Sequence, residues 1–388
     1  MPDTQPDHSL RAGAFVRQPN GYRAFIPAEL PPAPPIDLHA DLSQLLSKAD
    51  QGLGRLDGVA AILPNPDLFV AMYIKQEAVL SSQIEGTQST LQDILALEGG
   101  VHHAGQPTDL GDIVNYIAAM NFGIKRLEDL PLSSRLIREI HEKLLANSRG
   151  QHQDPGNFRR TQNWIGPAGA GLAGAAFVPP PPHELDRALG NLETFLNQRD
   201  VMPPLVQIGL AHGQFETIHP FLDGNGRVGR LLITLFLCER KILKRPLLYL
   251  SVYLKRYRTE YYERLMAIRT HGDWEGWLRF FLRGVAEVSE SAAATAKQIV
   301  DLRESTRQQL TNASSAKAAY RALDLIFEKP IITVETVRTG LNCSFNPANK
   351  IVKLFESLGL LVELTGQRRN RCYQFDHYLR LFTNHAAD

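Results

Sequence analysis

The sequence predicts a mainly α-helical protein with a smaller second domain at its C-terminal end. Apolar residues recur at helical spacing from about Leu42 through most of the chain. Beyond residue 317, three short helical patterns are followed by two alternating strands, LVEL and RCYQF, around a basic tip. The 388 residues, 44% of them hydrophobic, suffice for one large core and a smaller one. We therefore expect a large helical body followed by a winged helix-turn-helix domain.

The charge of the chain is nearly balanced, with 42 Lys and Arg against 41 Asp and Glu. This balance excludes nucleic-acid binding over the whole surface, so any anion site has to be local. The three cysteines are scattered without a CxxC pair, which is typical of reduced packing residues. The N-terminal residues carry no apolar signal core, and the apolar run from Leu231 is too short to span a bilayer. We expect a cytoplasmic location and no contact with a membrane.

Changes in composition along the chain predict five segments. The first is polar and proline-rich and ends in ELPPAPPID, which is typical of an extended arm. Helical patterns then continue until the composition changes at NASSA, near residue 314. The predicted segments are the arm at 1–38, an N-terminal helical region at 39–110, a central helical core at 111–290, a connecting helix or linker at 291–316 and the winged-helix domain at 317–388.

A helix is predicted from Asp67 to Gly86, and its last turn carries an unexpected charge. Glu77, Ser81 and Glu85 lie four residues apart on one face, and Gly86 stands where a glycine commonly ends a helix. A carboxylate in the last turn opposes the helix dipole. The mismatch suggests that Glu85 serves something other than its own helix. A solvated carboxylate at a helix end is the simpler alternative.

A long irregular insertion, from Asp154 to Leu185, interrupts the helices of the central core. Glycine, proline and alanine dominate it, and only AAFVP is typical of a short strand. Loops of this length inside a compact domain are usually functional. We expect the insertion to form a flap, such as a β-hairpin, near the functional site.

The stretch HPFLDGNGRVGR, from His219 to Arg230, carries the strongest chemical signal, and we call it the signature. Gly224 and Gly226 allow a tight turn whose amide hydrogens can point at one anion. The apolar run that follows predicts a helix, and a helix N-terminus adds free backbone donors and the positive end of the dipole. The signature thus predicts a phosphate cradle. It differs from a Walker motif, because GxxxxGK[ST] is absent from the sequence.

The side chains of the signature extend this prediction to a reaction. Arg227 and Arg230 lie three residues apart and can grip phosphate oxygens in bidentate fashion. Asp223 supplies a hard oxygen ligand suited to Mg²⁺. His219 has the side chain that most often acts as a general base near neutral pH. Together these residues predict in-line attack of a hydroxyl on a nucleotide phosphate.

The signature resembles that of the Fic family, HPFx[DE]GNGRxxR, at every fixed position. The stretches IREIHEKLL, PGNFRRTQNWIG, AAFVPPPP and LYLSVYLKRYRTEYYERL resemble the same family, so the similarity covers roughly residues 20 to 290. The resemblance implies a Fic helical core with a β-hairpin flap. It also implies an enzyme that transfers AMP from ATP to a Ser, Thr or Tyr hydroxyl of a target protein, with release of pyrophosphate. ATP and Mg²⁺ would be required.

The resemblance also implies particular residue functions. His219 would be the catalytic base and Asp223 the Mg²⁺ ligand, while Arg227 would hold the α- and β-phosphates and Arg230 would reach the γ-phosphate. Main-chain strand addition of the target segment would use the flap residues Ala176, Phe177 and Val178. The implied nucleotide-binding residues are Gly224, Asn225, Gly226, Arg227, Val228, Gly229, Arg230, Tyr261 and Tyr262. The tyrosine pair would line the adenine pocket, although both could equally be core aromatics.

The segment from Ser81 to Gly86 resembles the inhibitory motif [ST]xxxE[GN] of Fic proteins. This similarity implies that Glu85 pairs with Arg230 and occupies the place of the γ-phosphate. A carboxylate and a phosphate would then compete for one guanidinium group. We therefore expect an enzyme that is inhibited by its own N-terminal region.

Two alternatives remain at this stage. The same core could remove AMP, with Glu85 positioning a water molecule, or could transfer another group. Related phosphotransferases carry a lysine where this sequence has Gly226, which argues against phosphate transfer. A different class of function is a DNA-binding regulator that uses the winged helix.

The basic tip would be the DNA contact, with Arg368, Arg369 and Arg371 at phosphates. Residues 317–388 carry only ten Lys and Arg against seven Asp and Glu, so packing or protein contact is as good an explanation. A homodimer is common in similar proteins, and the chain could also modify itself. His212 lacks further ligands at metal-binding spacing and is interpreted as a packing histidine.

Overall fold

The computed structural model describes residues 10–61, 63, 66–100, 107–146, 150–166, 169, 171–313, 317–367 and 371–383. The mainly α-helical fold class is confirmed, since helices make up most of this part of the chain. None of these helices is long and apolar enough to cross a membrane. The helices are α1 (Ala40–Ala61), α2 (Pro66–Ile84), α3 (Leu91–Glu98), α4 (Leu110–Arg126), α5 (Ser134–Leu144), α6 (Leu185–Asn197), α7 (Pro204–Ile218), α8 (Asn225–Glu239), α9 (Ser251–Arg256), α10 (Arg258–His271), α11 (Trp274–Ala313), α12 (Lys317–Glu328), α13 (Val334–Leu341), α14 (Phe345–Ser357) and α15 (Asp376–Thr383).

Within the described residues, five short strands form two small antiparallel sheets. One sheet pairs β1 (Gly13–Arg17) with β2 (Arg23–Pro27). The other has the order β3-β5-β4, so the middle strand is the last in the sequence. Its strands are β3 (Ile331–Thr333), β4 (Val362–Glu363) and β5 (Cys372–Gln374).

The β1–β2 hairpin corrects the expectation of an extended arm at 1–38. Proline-rich composition predicts an extended chain, but the arm also contains Phe15 and Phe25, which pack edge-to-face with centroids 5.1 Å apart. Phe25 is fully buried, and its ring lies 5.8 Å from that of the flap residue Phe177. Burial of these aromatic rings stabilises the hairpin against the body of the protein.

Two central helices, α7 and α8, carry the signature between them. Every residue of α7 from Leu205 to Ile218 is buried, which explains why this helix shows no polar face in the sequence. Helix α8 is buried along most of its length, including Leu231, Leu232 and Ile233. The apolar run that follows the signature is therefore a core helix, and the loop between α7 and α8 is held rigidly at both ends.

Helix α11 is one continuous element of 40 residues. It packs along most of α1, and it crosses both the predicted end of the core at residue 290 and the predicted linker at 291–316. The composition near NASSA does mark its end, because the helix stops at Ala313. Small residues such as Gly52 allow this close packing, since a β-carbon there would overlap the Ser289 hydroxyl.

The C-terminal residues form helices α12, α13 and α14 with the three-stranded sheet, followed by α15. Strand β3 and helix α15 were not expected from the sequence. Helix α15 packs on the N-terminal region: Gln76 Nε2 donates to Phe382 O at 3.3 Å, and the rings of Tyr73 and Phe382 are 5.7 Å apart. The winged helix-turn-helix domain stays a prediction. Of its basic tip, Arg368 and Arg369 lie outside the described residues.

Candidate active site

The loop between α7 and α8, with the start of α8, carries the residues of the predicted phosphate cradle, Asp223 to Arg230. Helix α7 ends at His219, which adopts a left-handed conformation with φ +49°. Gly224 has φ +78° and caps the N-terminus of α8, so the amides of Asn225, Gly226 and Arg227 begin that helix. The first amides of a helix have no partner within it and attract anions. The described geometry therefore provides an anion-binding site at α8.

Two side chains fix the shape of this loop. The amide group of Asn225 accepts from Phe221 N at 2.8 Å and donates to Phe221 O at 2.9 Å, so Asn225 holds the turn. His141 Nδ1 accepts from Gly156 N at 2.9 Å, which leaves its proton on Nε2 to donate to Asp223 O at 3.0 Å. The His141 ring also stacks on Phe221 with centroids 3.7 Å apart. His141 thereby fixes the backbone of Asp223.

His219 lies half-buried at the end of α7, and its enclosed Nδ1 has no hydrogen-bond partner in the part of the chain that the structure describes. Burial lowers the pKa of this imidazole to about 3, and the positive charges of Arg269 and Arg159 contribute to the same shift. The ring is therefore neutral at pH 7, with one ring nitrogen free of a proton.

This state of His219 can be measured directly. Because the pKa is depressed below 6.5, lowering the pH from 8 to 5 should leave the ring neutral. We expect its ¹³Cε1 NMR signal, assigned by its loss in His219→Gln, to stay constant over that range. A titration midpoint of His219 near 6.5 would contradict the account.

Arg159 supports the start of the loop through hydrogen bonds to its backbone. Nothing in the sequence distinguishes this arginine. Its buried guanidinium group donates to four carbonyl groups: those of His219 at 2.9 Å, Thr161 at 3.3 Å, Pro180 at 2.5 Å and Ile218 at 3.3 Å. Asn163 Nδ2 adds a bond to His219 O at 3.1 Å. These bonds tie the start of the signature to the flap.

Removal of Arg159 should destabilise the fold. Arg159→Met leaves several buried carbonyl groups without donors, so we expect the free energy of unfolding in urea to fall by about 3 kcal/mol. The neighbouring Arg160 is exposed and provides the matched control, Arg160→Met. Equal losses for the two variants would rule out this supporting function.

Arg227 points into the cradle with unused donors. Its side chain is almost fully buried, and its Nε and Nη1 have no hydrogen-bond partner among the described residues. Nη1 lies 4.0 Å from Asp112 Oδ2 and Nη2 lies 3.5 Å from Asp223 Oδ2. A buried guanidinium group with free donors is suited to bind a doubly charged oxygen-rich ligand. By contrast, the neighbouring Val228 uses its amide on Gly224 O and buries its side chain in the core.

Glu85 and Ser81 meet Arg230 as the resemblance implies. Glu85 follows the last residue of α2 and lies in the turn that Gly86 completes with φ +94°. Arg230 Nη2 donates to Glu85 Oε1 at 2.7 Å and to Ser81 O at 3.0 Å, and Nε donates to Ser81 Oγ at 2.8 Å. Burial disfavours the charged guanidinium group, yet Glu85 raises the pKa of Arg230 overall. The Arg230 side chain is 2% exposed and the Glu85 side chain 34% exposed, so this ion pair is buried on the arginine side only.

The Glu85 carboxylate also lies directly on the cradle. A β-carbon at Gly226 would overlap Glu85 Oε1, so the carboxylate sits against the first turn of α8. That position is where a helix N-terminus binds an anion. The glycine at 226 is required for this close approach. Glu85 therefore places a carboxylate against the N-terminal turn of α8.

The predicted flap is present as a single antiparallel bridge. Ile165 N donates to Phe177 O at 2.8 Å, and Phe177 N donates to Ile165 O at 3.0 Å. Next to this bridge, Phe25 N of β2 donates to Val178 O at 2.9 Å. The main chain of the flap at Val178 is therefore bonded to a strand of the same protein. Phe177 and Val178 are buried, whereas Ala176 is exposed.

Arg269 links the flap to the end of α7. Its guanidinium group lies 3.9 Å from the centroid of the Phe177 ring. The same group donates to Thr217 Oγ1 at 3.2 Å and to Glu216 O at 3.0 Å. The positions of the flap and of His219 are therefore coupled through one buried side chain.

The two tyrosines of the predicted adenine pocket differ in exposure. Tyr261 is 1% exposed and belongs to the core, while Tyr262 is 42% exposed. Their ring centroids are 5.2 Å apart. Burial raises the pKa of Tyr262, with Glu85 adding to the shift and Arg230 opposing it, so its phenol lies within electrostatic range of this ion pair. Only Tyr262 presents a surface that a ligand can reach directly.

Taken by residue chemistry, this site is a phosphate cradle with two arginines and a neutral histidine in a helical protein. Comparison with known proteins gives the family. Residues 43–125 match the Fic/DOC family N-terminal domain and residues 131–237 match the Fic/DOC family domain. The chain belongs to the Fic/DOC family.

Two curated relatives are each named protein adenylyltransferase Fic. That of Drosophila grimshawi is 30% identical over 211 residues, covering 53% of this chain and 37% of the relative. That of Culex quinquefasciatus is 28% identical over 262 residues, covering 66% and 45%. The chain thus spans less than half the length of either relative. A solved Fic family protein from Desulfovibrio desulfuricans G20 shares the fold, with a TM-score of 0.56 and 19% identity over 88% of this chain and 97% of that one.

Proposed function

We propose that the protein transfers AMP from ATP to a Ser, Thr or Tyr hydroxyl of a target protein, and that Glu85 restrains this activity. The observation that carries the proposal is the position of the Glu85 carboxylate, which lies on the α8 cradle and bonds Arg230 at 2.7 Å. An internal anion at a phosphate site is a competitor for the phosphate. The adenylyltransferase names of the relatives support the reaction type.

In the proposed reaction, His219 accepts the proton of the target hydroxyl. The hydroxyl oxygen then forms a bond to the α-phosphorus of ATP, the bond between the α-phosphorus and the bridging oxygen breaks, and pyrophosphate leaves. Arg227, with two free donors, holds phosphate oxygens in place during this transfer. Arg230 binds the γ-phosphate once Glu85 has left. The protein thereby positions the phosphates and removes one proton.

Asp223 fits the requirements of a Mg²⁺ ligand. Its side chain is 41% exposed, and one oxygen accepts from Gly224 N at 2.6 Å while the other faces Arg227. Mg²⁺ bound to a nucleotide needs one or two protein carboxylates and takes its other ligands from phosphates and water. No cluster of three or more metal-binding side chains occurs in the described ranges, which agrees with such a shared site. Bound Mg²⁺ would neutralise charge on the phosphates.

Asp223→Asn should weaken this site selectively. The variant keeps the size of the side chain but loses the charge, so we expect the Mg²⁺ concentration for half-maximal AMP transfer to rise about tenfold or more. The exposed Asp186 in the first turn of α6 gives a control, Asp186→Asn. An unchanged Mg²⁺ dependence in Asp223→Asn would remove this residue from the proposal.

The flap is the proposed docking edge for the target. Ala176 is exposed beside the bridge, and the edge at Val178 is filled by Phe25 of β2. We therefore expect a target segment to pair with the main chain on the Ala176 side, next to His219. Strand addition uses main-chain groups and tolerates varied target sequences.

The reaction can be tested on the protein itself. The Glu85→Gly variant is incubated with ATP and Mg²⁺, and AMP additions are located by intact-mass and peptide mass spectrometry. Self-modification on hydroxyl side chains, abolished by EDTA, is expected. A protein that binds ATP but carries no AMP, on itself or on added protein extract, would contradict the proposed function.

A further inference from the structure

One buried residue, His212, links the three helices that surround the cradle. His212 lies on α7, is 1% exposed and contacts partners on both other helices. Its Nδ1 lies 2.9 Å from Gly229 O on α8, and its Nε2 lies 2.9 Å from the hydroxyl oxygen of Tyr261 on α10. The sequence alone indicated a packing histidine here. The structure adds two polar contacts that point in fixed directions.

The direction of both hydrogen bonds follows from their chemistry. The Gly229 carbonyl oxygen can only accept, so Nδ1 must carry the proton. Burial lowers the pKa of His212 to about 4, which keeps the ring neutral and leaves Nε2 without a proton. Nε2 therefore accepts from the Tyr261 hydroxyl. Burial also raises the pKa of Tyr261, so that this hydroxyl stays a donor.

The contacts join the phosphate side of the site to its aromatic side. Gly229 lies between Arg227 and Arg230 on α8, and a β-carbon at this glycine would overlap Glu216 Oε1, which shows how tightly the helices meet. Tyr261 precedes Tyr262, whose exposed ring lies 5.2 Å from that of Tyr261 and near enough to Glu85 and Arg230 for both charges to act on its pKa. His212 thus bonds the helix that carries the arginines to the residue before Tyr262.

Core stability alone does not require this link. A buried polar pair can often be replaced by apolar groups of the same shape at little loss of stability. Two directional bonds, however, fix the rotation of α10 relative to α8, which apolar contacts do not. His212 also stacks on Trp277 at 5.7 Å and 18°, which holds the plane of the ring.

We infer that His212 is a positioning residue for the nucleoside end of a nucleoside triphosphate. Its bonds to Gly229 O and to the Tyr261 hydroxyl fix the residue before Tyr262 relative to the helix that carries Arg227 and Arg230. The inference rests on the proposed function in so far as the ligand is ATP. It goes beyond that proposal because it gives His212 an effect on the affinity for the nucleoside and none on the affinity for the phosphates. His212 acts through Tyr261 and does not contact the ligand itself.

The test compares two ligands in the Glu85→Gly background, where the cradle is open. Isothermal titration calorimetry measures the affinity for Mg²⁺-ATP and for Mg²⁺-tripolyphosphate, which has the phosphates and no nucleoside. His212→Phe and Tyr261→Phe should each weaken ATP binding about 5- to 10-fold and leave tripolyphosphate binding unchanged. The double variant should weaken ATP binding no further than either single variant, since both remove the same bond. His271→Phe, an exposed histidine on α10, is the control.

A conservative variant guards against misfolding. His212→Gln keeps an acceptor where Nε2 stands and should retain most of the ATP affinity. Equal weakening for ATP and tripolyphosphate would mean a general structural effect and would overturn the inference, as would unchanged ATP binding in all variants. The proposed function is tested separately, because a Glu85→Gly protein that binds ATP without transferring AMP would contradict it. Even then, the comparison of ATP with tripolyphosphate would still test whether His212 positions the nucleoside.

Discussion

His219→Ala is expected to lower AMP transfer about 10²- to 10⁴-fold, the range that a general base contributes. The imidazole is neutral because burial lowers its pKa to about 3, and Arg159 and Asn163 hold its backbone carbonyl group. Alanine keeps the backbone but removes the proton acceptor. Binding of ATP should change little, because the phosphate cradle begins at Asp223 and not at His219. The measurement is the initial rate of α-labelled AMP incorporation in the Glu85→Gly background.

His271→Ala provides the control, since this histidine is exposed at the end of α10. It should transfer AMP at the rate of the Glu85→Gly protein. Loss of activity together with loss of ATP binding in His219→Ala would mean that the residue supports the site and is not the base. Retained activity would remove it from the reaction altogether.

Glu85→Gly is expected to raise AMP transfer about 10- to 100-fold over the parent protein. The variant removes one charged hydrogen bond to Arg230, and such bonds contribute roughly 1.5–3 kcal/mol. It also clears the first turn of α8, against which the carboxylate packs at Gly226. Both effects favour the triphosphate. The gain should appear mainly as tighter binding of ATP in its productive position.

A matched control for this variant lies in the turn after α4. Glu128 likewise follows the end of a helix, and it makes no hydrogen bond or ion pair with the signature among the described residues. Glu128→Gly should leave AMP transfer at the parent level. A similar gain in both variants would show that loosened helix ends, and not the Glu85–Arg230 pair, control the activity.

The signature could be predicted because its chemistry is local in the sequence. The glycines at 224 and 226, the arginines and the helix that follows lie within one short window, so their spacing alone defines the cradle. The Glu85–Arg230 contact joins residues 145 positions apart. This contact could be predicted only because the inhibitory motif has a recognisable pattern of its own.

Other parts of the site could not be predicted, because they depend on how distant segments pack. Arg159 gains its function from four carbonyl groups that the fold brings to it, and nothing in NFRRTQ separates it from the exposed Arg160. His141 lies in IREIHEKLL, which the sequence related only to the family, although its ring donates to the backbone oxygen of Asp223. The polar contacts of His212 likewise appear only when α7, α8 and α10 are in place.

The fold shows the same division. Helices with clear periodicity were predicted, whereas β3 spans only three residues and carries no alternation that would reveal it. The β1–β2 hairpin was hidden by the prolines around it and forms because Phe25 is buried against the flap. The continuity of α11 across residue 290 reflects its packing on α1, which outweighs any local change in composition.

The most direct test of the account follows which phosphate of ATP becomes attached to protein. Glu85→Gly and the parent are incubated with Mg²⁺ and ATP that carries one isotope at the α-phosphate and another at the γ-phosphate. The account predicts covalent incorporation of the α-label only, strong in Glu85→Gly and weak in the parent. Incorporation of the γ-label, or equal α-labelling of the two proteins, would contradict AMP transfer restrained by Glu85.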